Sequence, residues 1–172
     1  SLPNFIKIKE EHMFSAIKYL VDENKKLIKE IEKKDRLTWG NFIQKLEESD
    51  DKISKAWAPI RHLNSVMNSP KIRKQYEKSL NLLTSHYAKV GQNSKLYAKY
   101  ENFYNRHKHN LNQQQRKLLS DSLKGFRLSG VHLTGDDRKL FRNSQEKLAT
   151  LESKFEQNIL DSSNSWELNF KT

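Results

Sequence analysis

Residues 38–70 read TWGNFIQKLEESDDKISKAWAPIRHLNSVMNSP. Alternate steps of four and three residues from Trp39 reach Ile43, Leu46, Asp50, Ile53, Trp57, Ile60, Asn64 and Met67, and seven of these nine positions are apolar. The intervening residues are mostly charged or polar, and a two-residue alternation fails at once, so the pattern predicts an amphipathic helix. At about 1.5 Å per residue, roughly 29 residues would span about 43 Å. A helix in water depends on packing of its apolar face, so Trp39 and Trp57 require partner helices to cover them. Thr38 is placed to cap the start. Asn68-Ser69-Pro70 ends this helix and opens the next, with Pro70 in its first turn. Pro59 lacks an N–H and is expected to bend the helix without ending it, because the apolar stripe resumes at Ile60.

The flanking sequence has the same period. A first helix is predicted from near Lys9 to about Lys33, with Phe14, Ile17, Leu20, Val21, Leu27, Ile28 and Ile31 on its stripe and Asn24 as a polar gap. Glu10 and Glu11 in its first turn and lysines in its last complement the helix dipole. Before it, Leu2, Phe5 and Ile8 read as an extended segment pinned onto the bundle. A third helix runs from Pro70 to Val90, with Ile72, Tyr76, Leu80, Leu83, Tyr87 and Val90 inward and Gly91 as its stop. Asn93 or Ser94 opens a shorter fourth, carrying Leu96, Tyr97, Tyr100, Phe103 and Tyr104. Asn112 and Gln115 form a capping box for a fifth, which ends at Arg127-Leu128-Ser129-Gly130. Thr134, Asp136 and Asp137 start the last and longest helix, with Phe141, Leu148, Leu151, Phe155, Ile159 and Trp166 on its stripe. The expected fold is therefore all-α, an antiparallel bundle of about six helices with a long central helix bent near Pro59.

For 172 residues one domain is the default. Apolar residues make up 35% of the chain, below the usual figure of about 45–50% that counts glycine. The mean hydropathy is −0.92. Such a thin core fits a slender bundle, a piece that completes its core against something else, or both. Tails are normally polar, so Trp166, Leu168 and Phe170 near the end predict a sequence that continues. There is no cysteine, which excludes disulfides and thiolate metal sites. No apolar run reaches the length of a membrane span, and SLPNFIKIKEEH is too polar for a signal peptide, which leaves the cytoplasm as the plain expectation. The net charge is +11, but 24 of the 32 basic residues are lysine. Their densest run (Lys25, Lys26, Lys29, Lys33, Lys34, Arg36) is broken by Glu30, Glu32 and Asp35, as on a solvated helix face. Nucleic acid is not expected as a partner.

Chemistry is sparse. The histidines His12, His62, His86, His107, His109 and His132 form no His-Glu-x-x-His pair. His107 and His109 are read as an exposed loop pair and His62 as a helix-flank residue. No glycine-rich phosphate loop and no Gly-x-Ser-x-Gly elbow occurs. Asp50 lies on the apolar stripe beside Asp51. It is expected to be a structural carboxylate bound to a helix end or a basic side chain, against the alternative of a buried acid with a raised pKa. Asn64 is expected to be a buried, hydrogen-bonded register residue. The aromatic groups Trp39/Trp57 and Tyr97/Tyr100/Tyr104 are expected in the core. These residues alone describe a binding or scaffolding domain.

Five stretches carry a resemblance: LPNFIKIKEEH at the start, LEESDDKISKAWAPIRHLNSVMNSP (46–70), GQNSKLYAKY (91–100), LKGFRLSGVHL (123–133) and SKFEQNILDSSNSW (153–166). In that order they resemble the N-terminal helical region of the oligopeptidase A / thimet-oligopeptidase-like family of zinc metallopeptidases. The resemblance implies a cytosolic peptidase that cuts short peptides inside a channel, with this region as one wall. It also implies zinc held elsewhere by a His-Glu-x-x-His helix and a later glutamate. None of those positions falls within these residues, so no catalytic, cofactor-binding or metal-ligating residue is expected here. The implied partners are the catalytic part of the same chain and short peptides, with no membrane. The alternative is a stand-alone helical module that binds peptides or an anionic partner through its basic surface.

Overall fold

The computed structural model describes residues 5–168. Within them lie six α-helices and no strand: α1 Glu10–Lys33, α2 Ile43–Val66, α3 Pro70–Gly91, α4 Ser94–His107, α5 Gln113–Leu128 and α6 Gly135–Ser165. The all-α expectation holds. Leu2 and Phe170 lie outside the described residues. Phe5 belongs to a 3₁₀ turn, Phe5–Lys7, where an extended segment was expected, and its ring sits 5.4 Å from that of His62.

Most helix ends follow the local chemistry. Ser69 caps α3 by accepting from Ile72 N, and Pro70 occupies the first position. Asn68 before it takes a left-handed φ of 46°. Asn93 caps α4, and Asn112 with Gln115 forms the complete capping box of α5. At the end of α5, Gly130 has φ 75°, Gly130 N donates to Arg127 O, and Val131 N donates to Phe126 O. That is a Schellman ending, with buried Val131 and Phe126 as its apolar contact.

Three expectations need correction. First, α2 begins at Ile43 and not at Trp39. Thr38 and Asn41 do exchange hydrogen bonds in a capping pattern, but the turn they close breaks at Phe42 (φ −125°, ψ −81°). Gln44 N then reaches back five residues to Trp39 O. The break turns Phe42, which is off the sequence stripe, fully into the core against Tyr100 and Phe103. The 24-residue helix is about 36 Å long. It continues through Pro59, which is buried. Second, Gly91 does not end α3 as a left-handed residue. A Cβ there would lie 2.5 Å from Ser129 Cβ, so glycine permits the close approach of the turn after α5. Third, on the inward face of α3 Ile72, Tyr76 and Leu83 are buried as predicted, but two predicted positions give way to the residue before them. Ser79 and His86 are buried, while Leu80 is half-buried and Tyr87 exposed. The Ser79 hydroxyl turns back onto Gln75 O, so it is satisfied within its own helix.

The bundle is organised by α1 and α3 more than by α2: α1 packs mainly on α3 and α2, while α6 packs on α3. The apolar interior is split in two. One cluster joins Ile28 and Ile31 of α1, Phe42, Ile43 and Leu46 with α4, α5 and Val131. The other joins Met13, Ile17 and Val21 with Ile53, Ile60 and Leu63 of α2 and Ile72, Tyr76 and Leu83 of α3. Trp39 and Trp57 are half-buried at the edges of the two clusters, and Trp57 stacks on Tyr76 at 5.0 Å.

Candidate functional site

A polar layer lies between the two clusters. Asn24 falls between Val21 and Ile28, Asp50 between Leu46 and Ile53, and His86 between Leu83 and Val90, so each interrupts the apolar stripe of its helix. The helices bring them together. Asn24 Nδ2 donates to Ser49 Oγ at 2.9 Å and to Asp50 Oδ1 at 3.3 Å. Its Oδ1 lies 3.0 Å from His86 Nε2. Because the amide of Asn24 is spent on α2, its carbonyl must accept, and His86 therefore carries its proton on Nε2.

Asn24 is 2% and His86 3% exposed, and that burial sets the electrostatics. Desolvation, with the nearby Lys25 and Lys89 charges behind it, lowers His86 to about 4, so the ring is neutral at pH 7. Burial, followed by the Glu47 carboxylate, pushes Asp50 up to about 6. No lysine or arginine pairs with Asp50 among the described residues. The expectation of a carboxylate held by a cation or a helix end therefore fails. Asp50 is instead a half-buried acid with a raised pKa, close to the alternative reading, held by a neutral amide. Its neighbour Asp51 faces solvent and pairs with Lys55.

Asp50 also lines a cavity of about 290 Å³ with Glu47, Tyr87, Tyr100, Leu46 and Phe126 among its walls. Tyr100 is 6% exposed and donates no hydrogen bond among the described residues. Burial, then Glu47 and Asp50, raises its phenol far above the usual range.

The other candidates remain apart. Asn64 is buried, but its Oδ1 has no hydrogen-bond partner, so the register bond expected of it is not made. The ring of His107 rests 4.6 Å from that of Phe103, and His109 is exposed. His62 is exposed on α2 beside Phe5. The lysine-rich end of α1 is interleaved with acids: Lys25 binds Asp22, Lys26 binds Glu23, and Glu32 accepts from Asn93. Among the described residues no three His, Asp or Glu side chains gather where they could hold a metal ion. The zinc implied by the resemblance does not fit this stretch, and no hydrolytic step is assigned to its residues. No described helix is long and apolar enough to cross a membrane.

Asn24 was legible as a gap in the stripe of α1, whereas His86 was passed over. The available signal was a polar residue set between apolar ones on each of three helices.

A six-helix, all-α framework with an internal polar layer defines the class of the molecule. The profile of the neurolysin/thimet oligopeptidase N-terminal domain matches residues 17–139, and the chain belongs to that family. Oligopeptidase A of Haemophilus influenzae is 35% identical over 167 residues, covering 96% of this chain and 24% of that protein. Oligopeptidase A of Escherichia coli is 34% identical over the same share of this chain and 25% of its own length. The probable cytosolic oligopeptidase A of Arabidopsis thaliana is 25% identical over 166 residues, 96% of this chain and 24% of its own. The chain thus spans about a quarter of the length of the curated relatives it matches.

Proposed function

We propose that this chain is the N-terminal helical part of a zinc metallo-oligopeptidase, a cytoplasmic enzyme that hydrolyses short peptides in an enclosed channel. In this reading the helices form one channel wall and restrict access by size. The catalytic and zinc-binding residues belong to the remainder of the polypeptide. The observation that carries the reading is the likeness over 96% of this chain to relatives named oligopeptidase A, about four times its length. The outer face of α6 supports it. Leu148, Leu151, Phe155 and Ile159 are all about half exposed or more, an apolar stripe suited to a large neighbour within the same protein.

The test is to assay residues 1–172 alone and then joined to the sequence that follows them. The isolated chain is expected to fold, to retain no stoichiometric zinc by atomic absorption and to leave a ten-residue peptide intact. The longer chain is expected to cleave that peptide, to lose activity to a chelator and to spare folded proteins. Zinc-dependent cleavage by residues 1–172 would overturn the assignment, as would a following sequence without a His-Glu-x-x-His helix. Steeply salt-dependent binding to an anionic polymer would favour the interaction-module alternative.

A further inference from the structure

The cavity beside the polar layer has an unusual charge balance. The chain carries a net charge of +11, yet two carboxylates at this cavity, Glu47 at its mouth and Asp50 deeper, have no lysine or arginine within ion-pair distance among the described residues. A second, independent observation comes from α4. Tyr100 lines the same cavity, is more than nine-tenths buried, and makes no side-chain hydrogen bond among the described residues. Its hydroxyl is not closed off in the interior, so it is available to a group that enters the cavity.

The rest of the lining is mixed: Ile28, Leu46, Val90, Leu96 and Phe126 are apolar, Asn24, Ser122 and Ser129 are polar and uncharged, and Tyr87 and Gly91 complete the wall. A ligand that satisfies all of these groups at once has a cationic head for the carboxylates, N–H donors for the Tyr100 oxygen, and a hydrocarbon stem. Aromatic rings around a cation add to the attraction. At about 290 Å³ the space suits one long side chain and not a whole peptide.

We propose that this cavity between α1, α2, α3, α4 and α5 binds an arginine- or lysine-type side chain, with Glu47 and Asp50 supplying the counter-charge and the Tyr100 hydroxyl accepting from the cation. The inference does not depend on the peptidase reading, because the chemistry is the same for a free peptide and for a basic residue from an adjoining part of a longer chain.

The probe is acetyl-Gly-Arg-Gly-amide, with the citrulline peptide as its uncharged isostere, titrated into residues 1–172 at pH 7.5 and followed through the Asn24 side-chain amide by NMR. The arginine peptide is expected to shift that signal at low millimolar concentration or below. The citrulline peptide, and the variants Asp50→Asn and Tyr100→Phe, are expected to bind about tenfold more weakly or worse. Glu47→Gln, on an exposed side chain that does not test the fold, should weaken binding more than the distant control Glu11→Gln. Binding by the isolated chain that disappears in the longer chain, where Asp50→Asn now lowers the melting temperature, would assign the cation to the protein itself. Binding kept in both would assign it to a peptide. Equal response to arginine and citrulline, or equal loss from Glu47→Gln and Glu11→Gln, would overturn the proposal. So would no binding by the isolated chain together with no effect of Asp50→Asn on the longer one.

Discussion

Helices α1 and α6 have comparable apolar stripes in sequence and opposite fates in the fold. In α1, Met13, Ile17, Val21, Ile28 and Ile31 are all buried, and even the interrupting Asn24 is inside. In α6 the single buried residue is Ser153. Taking 100° per residue, Leu148, Leu151, Phe155 and Ile159 each point at least about 120° away from Ser153. The face of α6 that meets α3 is polar. Arg138 and Arg142 grip Gln92, Gln157 reaches Glu77, and Asp161 holds Arg73 through two bonds of 2.7 and 3.0 Å. A stripe therefore reports that a helix needs an apolar partner and says nothing about where the partner is. In α1 it lies within this chain. In α6, on the reading proposed above, it is the remainder of a longer one.

The largest contrast should come from truncating one residue on each stripe. Ile17→Ala, at a fully buried position, is expected to cost about 2–5 kcal/mol in urea unfolding, whereas Phe155→Ala should stay within about 0.5 kcal/mol. Similar losses at both positions would mean that α6 is core, and the comparison would fail. Next comes the polar layer. Asn24→Ala leaves the His86 Nε2–H, and one bond each of Ser49 and Asp50, without their partner, at a cost of about 1–3 kcal/mol. A neutral or stabilising outcome would show that the layer relaxes or admits water.

The same layer makes an expectation about pH. Asp50 is raised from 3.8 to about 6, so between those values the folded chain holds a proton that the unfolded chain has lost, and its contribution to stability falls as pH rises. His86 is lowered from 6.5 to about 4, so in that window the unfolded chain takes up a proton that the folded chain refuses, and its contribution falls as pH drops. The two slopes oppose each other. The groups facing them, Glu47, Tyr87 and Tyr100 around Asp50 and Asp22, Lys25 and Lys89 around His86, leave these directions unchanged. Unfolding of the parent chain should depend little on pH between about 4 and 6.5. Asp50→Asn should reveal stability that rises with pH, and His86→Gln the reverse; identical profiles for both variants would refute the assignment.

The smallest effects belong to α6. Arg73→Ala removes a partly exposed ion pair and should cost about 0–1 kcal/mol. Replacing Leu148, Leu151, Phe155 and Ile159 together by Gln should leave the melting temperature of the isolated chain nearly unchanged and reduce its binding of an apolar dye. The same four changes should destabilise the longer chain. An isolated chain that unfolds would place the stripe in its own core.

The class of the fold, the six helices and most of their ends were legible in the residues, because caps, Pro70, the Asn112–Gln115 box and the 3.6-residue period act over four or five neighbours. Where the reading slipped, a more distant contact was responsible. Phe42, off the predicted stripe, is buried because Tyr100 and Phe103, some sixty residues on, offer it a pocket. Gly91 is required by Ser129, not by the end of its own helix. Asp50 has a raised pKa because packing takes it largely out of water beside Glu47, and the partner it finds is the neutral Asn24 of another helix. Periodicity shows which face of each helix is apolar. Which faces meet, which polar residues share one layer and which stripe stays uncovered depend on how six helices pack around a common interior, and no single helix carries that information.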